Sequence, residues 1–228
     1  MERRNKILFL LIGFLGTVIL FFIFLYFSVP KIINSEIVKK KVNAYVLQKT
    51  GGSIAFKKLD IHLFPLPHIV FQQVSISVPN KANGLIQSLF VYPDVWSLIK
   101  GNVQFSKLSF ESPRFTVSLS EDMEKTSLEL IEEKIRSFVH DLNSLAPYLL
   151  LTVHEGKLDL TKADRVAFSF DTIQSQLITS GKSLNIFLTC TSTLWDNLSF
   201  NSSLHVEDLK SSGTLQIKHF QPHNLFAQ

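Results

Sequence analysis

Two histidines, His219 and His223, have the four-residue spacing with which a helix can hold a metal ion. Pro222 lies between them and forbids a regular helix through the pair. A metal site also needs further ligands, and no cluster of such residues lies nearby in the sequence. The pair is therefore interpreted as surface histidines, and the sequence predicts no metal site.

No other pattern in the sequence carries catalytic chemistry. Cys190 is the one cysteine, which rules out an intrachain disulfide and a multi-cysteine zinc site. Gly51-Gly52 lacks the Gly-Lys of a phosphate-binding loop and is better explained as a helix stop. No serine or cysteine lies in a nucleophile-elbow pattern. The sequence therefore predicts no catalytic residues, no enzyme activity and no cofactor.

Composition points to apolar surfaces. The 228 residues are 46% hydrophobic and 18% charged, and they include 20 phenylalanines. Such a chain is too apolar for disorder. The net charge is +4, but the lysines are scattered apart from Lys39-Lys40-Lys41, and no basic stripe alternates with aromatic residues. The sequence therefore predicts no binding to nucleic acid.

A membrane anchor is predicted near the start of the sequence. Ile7–Val29 contains 23 residues without a charge, and as a helix it would span about 34 Å. A cleaved signal peptide is the alternative, but Phe27-Ser-Val-Pro-Lys31 offers no small-x-small cleavage site. Positive charges lie on both sides of the segment and leave its orientation open.

A short amphipathic helix is expected next, capped by Asn34 or Ser35 and ended by Gly51-Gly52. Its lysines Lys39, Lys40 and Lys41 would form either a solvated face near the membrane or a contact with anionic headgroups.

Alternating apolar and polar residues then predict two strands. Ile54 and Phe56 alternate, the phase slips at Lys57-Lys58, and the alternation resumes at Leu59, which indicates a β-bulge. Phe64-Pro-Leu-Pro67 predicts a corner because proline cannot donate to a ladder. A second strand follows, with Val70, Val74, Ile76 and Val78 assigned to one face.

The second half of the sequence repeats this pattern. A capping box at Thr126 and Glu129 begins an amphipathic helix that Pro147 ends, expected to cover apolar surface on a sheet or along its edge. Five strands follow, predicted at Leu149–Leu160, Val166–Ile178, Leu184–Cys190, Leu198–Val206 and Gly213–His219. A second bulge is predicted at Asp171-Thr172, where the apolar parity changes.

The predicted fold class is mainly β with α: a single transmembrane helix followed by a curved antiparallel sheet, as groove or sandwich, with two or three amphipathic helices. Four segments are expected: an anchor (1–30), a helix with a first β block (31–120), an amphipathic helix (121–147) and a second β block (148–228). Apolar side chains on one face of these strands are the candidate lipid contacts: Leu59, Ile61, Leu63, Val74, Ile76, Phe105, Leu108, Phe168, Phe170, Leu198, Phe200 and Leu204.

The order of these elements up to about Leu119 resembles the N-terminal region of the AsmA family. The residues that carry the resemblance are the anchor and helix, Thr50-Gly-Gly, the Phe64-Pro-Leu-Pro corner, Val74-Ser-Ile-Ser, Trp96-Ser-Leu-Ile-Lys-Gly101 and Leu108-Ser-Phe-Glu-Ser-Pro113. The resemblance implies a bacterial inner-membrane protein with most of its chain in the periplasm. It also implies a role in outer-membrane biogenesis and phospholipid movement, although family members are usually several times longer.

Three functions follow from this resemblance: a module that holds or passes phospholipid along an apolar β groove, a non-transporting envelope assembly scaffold, or a regulator of protein targeting to the membrane. The expected partners are the membrane, phospholipid and other envelope proteins. The alternation of residues cannot separate an open groove from a closed core.

Overall fold

Ten strands in one hydrogen-bonded sheet dominate the computed structural model of the chain. The structure describes residues 40, 43–44, 47–48, 51–102, 104–119, 133, 136–137, 139–142, 146–163, 165–208 and 210–221. The strands are β1 (Ser53–His62), β2 (His68–Val78), β3 (Ala82–Pro93), β4 (Phe105–Glu111), β5 (Arg114–Ser118), β6 (Leu150–Lys162), β7 (Arg165–Thr179), β8 (Ser183–Ser192), β9 (Trp195–His205) and β10 (Ser211–Lys218), and a short helix, α1 (Val95–Ile99), lies between β3 and β4.

The sheet is mixed: most strand pairs are antiparallel, as predicted, but two pairs are parallel and were not predicted. Its strand order is β1-β2-β3-β4-β6-β7-β8-β9-β10, with β5 pairing to both β3 and β6. The strand β6 runs parallel to β4 and to β5, while the other pairs are antiparallel. Parallel neighbours need a long crossover, and the segment between Ser118 and Leu150 supplies it.

Some described residues of that crossover are helical, within the segment where the second amphipathic helix is predicted. Its helical positions among the described residues are 133, 136–137 and 139–142. Val139 is buried there, as the apolar side of such a helix requires. The capping box at Thr126 and Glu129 lies outside the described residues.

The phase slip in β1 is present, and it has a matching irregularity in β2. Phe56 and Leu59 are three residues apart and both are buried. Opposite the slip, Gln73 of β2 has a φ of 51°. The pairing register of β1 with β2 does not change there, since Phe56 lies opposite Val74 before the slip and Lys58 opposite Gln72 after it. The predicted grouping of Val70 with Val74 is wrong, because the slip also reverses parity in β2: Ile69 and Phe71 join the core of this sheet region.

A third irregularity separates β4 from β5. The chain continues as β5 directly after Pro113. Ser112 has a φ of 46°, and its backbone N–H donates to the carbonyl of His154 on β6 at 2.8 Å. One extended segment thus crosses the sheet as two short strands.

The corner at residues 63–67 is confirmed, since β1 ends at His62 and β2 begins at His68. The predicted strands of the second half are also present, as β6 to β10.

The predicted anchor Ile7–Val29 lies outside the described residues, as do Asn34, Ser35 and the lysines Lys39 and Lys41. Among the residues that the structure does describe, no helix is long and apolar enough to cross a membrane. Lys40 is described, is helical and is exposed.

Candidate functional site

The strand register places apolar side chains of consecutive strands opposite one another on one side of the sheet, here called the apolar face. Between β6 and β7, Leu158 lies opposite Phe170 and Leu160 opposite Phe168. Further along the sheet, Leu198 pairs with Cys190 of β8 and with Ile217 of β10, and the next row continues in the same way. Because directly opposed residues share a face, the apolar face continues from β6 to the β10 edge.

Two bulges keep the apolar face continuous through β6 and β7. Thr172 has a φ of 50°, and the register shifts beside it, so that Phe170 and Ile173 lie in the same apolar cluster although they are three residues apart. Glu155 has a φ of 53° in β6, next to Gly156, which lies opposite Ile173. The predicted bulge at Asp171-Thr172 is confirmed.

Gly156 fills a position where the two bulges approach each other. A Cβ added there would lie 3.0 Å from Val153 Cγ1 and 3.2 Å from Ile173 Cβ, distances shorter than ordinary carbon contacts of about 3.5–4.0 Å. A side chain at this point would therefore require Val153 and Ile173 to shift by a few tenths of an ångström.

At the β1–β3 end, the apolar face is a closed core. Phe56, Leu59, Val74 and Ile86 form one buried cluster, and each is no more than 7% exposed. Phe56 also packs edge-on against Phe71, with ring centroids 5.2 Å apart. These residues are shielded from solvent, and so the candidates Leu59 and Val74 act as core in this structure.

From β7 to β10, the same face becomes more accessible towards its outer edge at β10. The predicted candidates Phe168, Phe170, Leu198, Phe200 and Leu204 are all partly exposed. At the outer strand, Leu215 is 59% and Ile217 44% exposed. The apolar face therefore passes from a closed core into surface that solvent or a ligand can reach.

An aromatic cluster lies under this accessible region. Trp195 is buried, with its ring 5.6 Å from that of Phe168 and 5.9 Å from that of Phe170. Its indole nitrogen Nε1 is buried without a hydrogen-bond partner among the described residues. The adjacent thiol of Cys190 is only a weak acceptor.

Cys190 is structural here. It is 2% exposed and belongs to the cluster of Leu194 and Trp195. Burial raises the pKa of its thiol, and the neighbouring Trp195 side chain opposes that shift only in part. A thiol that stays protonated is a poor nucleophile.

The opposite side of the sheet is mainly polar, and its side chains form ion pairs and hydrogen bonds with one another. Lys157 Nζ lies 3.2 Å from Asp171 Oδ1 and 3.5 Å from Asp159 Oδ1, and the Ser169 hydroxyl donates to Asp159 at 2.6 Å. The hydrogen bond to Asp171 and the charges of both carboxylates raise the pKa of Lys157. This group is a satisfied surface network.

Two polar side chains on this side are buried and satisfied. The hydroxyl of Thr152 on β6 donates to that of Ser109 on β4 at 2.8 Å. This bond joins the two parallel strands at the centre of the sheet.

Ten of the twelve predicted contacts lie in strands with the apolar register. Ile61 and Ile76 pack on the β1–β3 core, and Leu108 lies opposite Val91 and Leu151. The remaining two are at the end of the sheet: Leu63 is 52% exposed in the corner after β1, and Phe105 is 38% exposed at the start of β4. Those two do not line the apolar face.

Several residues of the face were not identified from the sequence. Leu188 and Trp195 belong to the accessible cluster, and Leu215 and Ile217 extend it to the edge. The alternation of Leu215 and Ile217 was visible in the sequence. The role of Trp195 was not visible, because Trp195 is the first residue of β9 and has no preceding strand residue with which to alternate.

The described residues contain no group of three or more His, Cys, Asp or Glu side chains that could hold a metal ion. His219 instead contacts Asp196 through Nδ1 at 2.8 Å. His223 lies outside the described part of the chain.

Comparison with known proteins found no protein family whose model matches the chain, and no curated protein that matches it. The resemblance to the AsmA family stays a prediction from the sequence.

Proposed function

We propose that this chain is a membrane-anchored envelope protein of the AsmA type, with most of its residues in the bacterial periplasm, that holds or passes phospholipid along the apolar face of β6–β10. It would take part in outer-membrane biogenesis. The observation that carries the proposal is the partly exposed apolar surface of these strands, which ends in the exposed Leu215 and Ile217 of β10.

The physical gain would come from the acyl chains. Each CH₂ group that leaves water for the face contributes about 0.8 kcal/mol, so a chain along several strands would be held without a specific pocket. The headgroup would remain in water beyond the edge of the sheet.

A second candidate is a scaffold that docks another polypeptide, either in envelope assembly or in the regulation of protein targeting to the membrane. It is favoured by β10, in which all eight residues are exposed and which pairs with β9 alone among the described strands. An exposed strand edge is a template for pairing with another chain.

Lipid retention tests the proposal. The full chain is purified in mild detergent, its bound lipids are extracted, and the lipid-to-protein ratio is measured by mass spectrometry. The double variant Leu198→Ser, Phe200→Ser is expected to retain lipid on the face roughly tenfold less well, since each side chain loses most of its apolar contact.

The matched control is Asn201→Ala, one residue further along β9 and on the other side of the sheet. Lipid bound around the anchor is common to all three proteins and cancels in the comparison. Equal lipid-to-protein ratios in wild type, control and double variant, with unchanged circular dichroism, would leave the scaffold as the better account.

A further inference from the structure

Large apolar side chains are exposed at one end of the sheet, away from the face described above. Phe64 is 89% exposed and Leu66 64% exposed in the corner between β1 and β2, and Trp96 in α1 is 73% exposed. With Leu63 of the same corner, these residues are called the apolar end.

The two loops that carry the apolar end are held side by side. His68, where β2 begins, stacks on His62 at 4.9 Å and on Tyr92 at 5.0 Å between ring centroids. Tyr92 lies near the end of β3, immediately before the loop that contains α1. The two ends of that loop are joined by a 2.8 Å hydrogen bond from Asp94 N–H to the carbonyl of Gln104. The aromatic stack thus joins the bases of both loops.

The charges near the apolar end are mainly cationic. Lys107 lies 5.5 Å from the Tyr92 ring centroid, and Lys100 is exposed just after α1. The one carboxylate in the α1 loop, Asp94, accepts hydrogen bonds from Trp96 N at 3.1 Å and from the Ser97 hydroxyl at 2.7 Å. Residues 63–67 contain no charged side chain.

Exposed aromatic and aliphatic side chains flanked by lysines match the interface of a bilayer that contains anionic lipid. Tryptophan prefers the headgroup level, phenylalanine and leucine enter the acyl boundary, and lysines attract the anionic surface. The predicted anchor Ile7–Val29 would hold the chain at one membrane, and the bilayer that these two loops reach would be either that membrane or a second one.

We propose that the apolar end inserts into the surface of an anionic phospholipid bilayer. This site is separate from the lipid-holding face and does not depend on it. The strand β1 has ten residues and spans about 33 Å, which places the apolar end that far from where the strand begins.

The two tryptophans of the chain provide the test, since Trp96 is exposed and Trp195 is buried. Full chain is reconstituted in nanodiscs, and Trp emission is measured in two arms. In one, the disc itself contains equal parts of phosphatidylglycerol and dibrominated phosphatidylcholine, which quenches nearby indoles. In the other, the disc is unbrominated, and vesicles of equal parts phosphatidylglycerol and dibrominated phosphatidylcholine are added. Quenching in either arm that is lost in Trp96→Phe supports the proposal and shows which bilayer is contacted.

Matched variants locate the contact. Phe64→Ser is expected to weaken the contact roughly tenfold, and Leu66→Ser should do the same. Phe220→Ser removes another exposed phenyl group, at the opposite end of the sheet where β10 finishes, and should have no effect. Unchanged Trp195 emission in each variant shows that it is folded.

Absence of Trp96 quenching in both arms would overturn the proposal and leave the apolar end as a surface for a protein partner. Equal effects of Phe64→Ser and Phe220→Ser would overturn it as well. Neither result would alter the lipid retention measured at β9, so the two proposals fail independently.

Discussion

Replacing Thr172 by glycine tests whether the bulge in β7 has the backbone geometry that keeps the apolar face continuous. Thr172 has a φ of 50°, in the left-handed region, where an L-residue costs roughly 1–2 kcal/mol. Threonine is β-branched and is especially disfavoured there. Glycine adopts this region without penalty.

Two effects oppose the gain from relieved strain. The hydrogen bond between the hydroxyls of Thr172 and Thr191, 2.8 Å long, is lost; it is exposed, so its contribution is near the lower end of the usual 0.5–1.5 kcal/mol. Glycine also makes the unfolded chain more flexible, at a cost of about 0.5–1 kcal/mol. Thr172→Gly is therefore expected to leave the free energy of unfolding within about 0.5 kcal/mol of wild type.

Thr189→Gly is the matched control. Thr189 is an exposed residue of β8 without a left-handed φ, and it pairs with Gln174 and Ser199. The gain in unfolded-state flexibility is the same at both positions and cancels. The variant at 189 should therefore be less stable than the variant at 172 by about 1 kcal/mol, the left-handed cost less the lost hydrogen bond.

Urea unfolding of the full chain in detergent, followed by the red shift of Trp195 emission, measures both variants. Trp96 is already exposed and contributes a nearly constant signal. Equal destabilisation at 172 and 189 would refute the bulge geometry, and with it the explanation of why Phe170 and Ile173 share a face.

Three further outcomes are expected. Gly84→Ala should destabilise the fold by about 1–3 kcal/mol, because the added Cβ would overlap the ring of Phe115; Phe115→Leu in the same chain should restore part of the loss in urea unfolding. Cys190 should react with maleimide only after unfolding, and rapid labelling of the native protein would contradict this. Because burial raises the pKa of its thiol, the thiol ionises at lower pH in the unfolded chain than in the folded one. The free energy of unfolding should therefore fall as the pH rises above about 8.5. Ile61→Asp should cost about 2 kcal/mol or more and increase protease sensitivity, while Ser75→Asp should stay within about 0.5 kcal/mol of wild type; equal sensitivity would show that the faces are wrongly assigned.

Most of the strands could be predicted from alternation alone, because one side of the sheet is apolar and a strand has a period of two. The parity change at Asp171-Thr172 was sufficient to predict a bulge. In β2 the same signal was weaker: Val70 is apolar but lies on the polar side, opposite Phe90, so that the slip at Gln73 could not be read from its neighbours.

The parallel pairing could not be predicted, because the choice of partner is not encoded within a strand. β5 is only five residues long, and it begins directly after Pro113. Its pairing with β6 depends on the crossover that precedes Leu150, and long-range topology of this kind leaves no mark in local alternation.

The sequence predicted correctly which face of the sheet most candidate contacts lie on, but it did not predict how exposed each of them is. Leu59 and Phe200 show the same alternation in the sequence, yet Leu59 is 4% exposed and Phe200 is partly accessible. Burial depends on what packs over a face, and the alternation of a single strand does not contain that information.

Photo-crosslinking in living cells tests the proposed role of the apolar face most directly. A benzophenone side chain in place of Phe200 is expected to capture phospholipid, and the same probe at Phe168 should do so too. At Ser199 or Asn201, on the other side of β9, it should not. Phospholipid adducts at the two apolar positions alone are the predicted result, and adducts to protein only, or equal lipid capture at Asn201, would contradict the proposal that this face holds lipid.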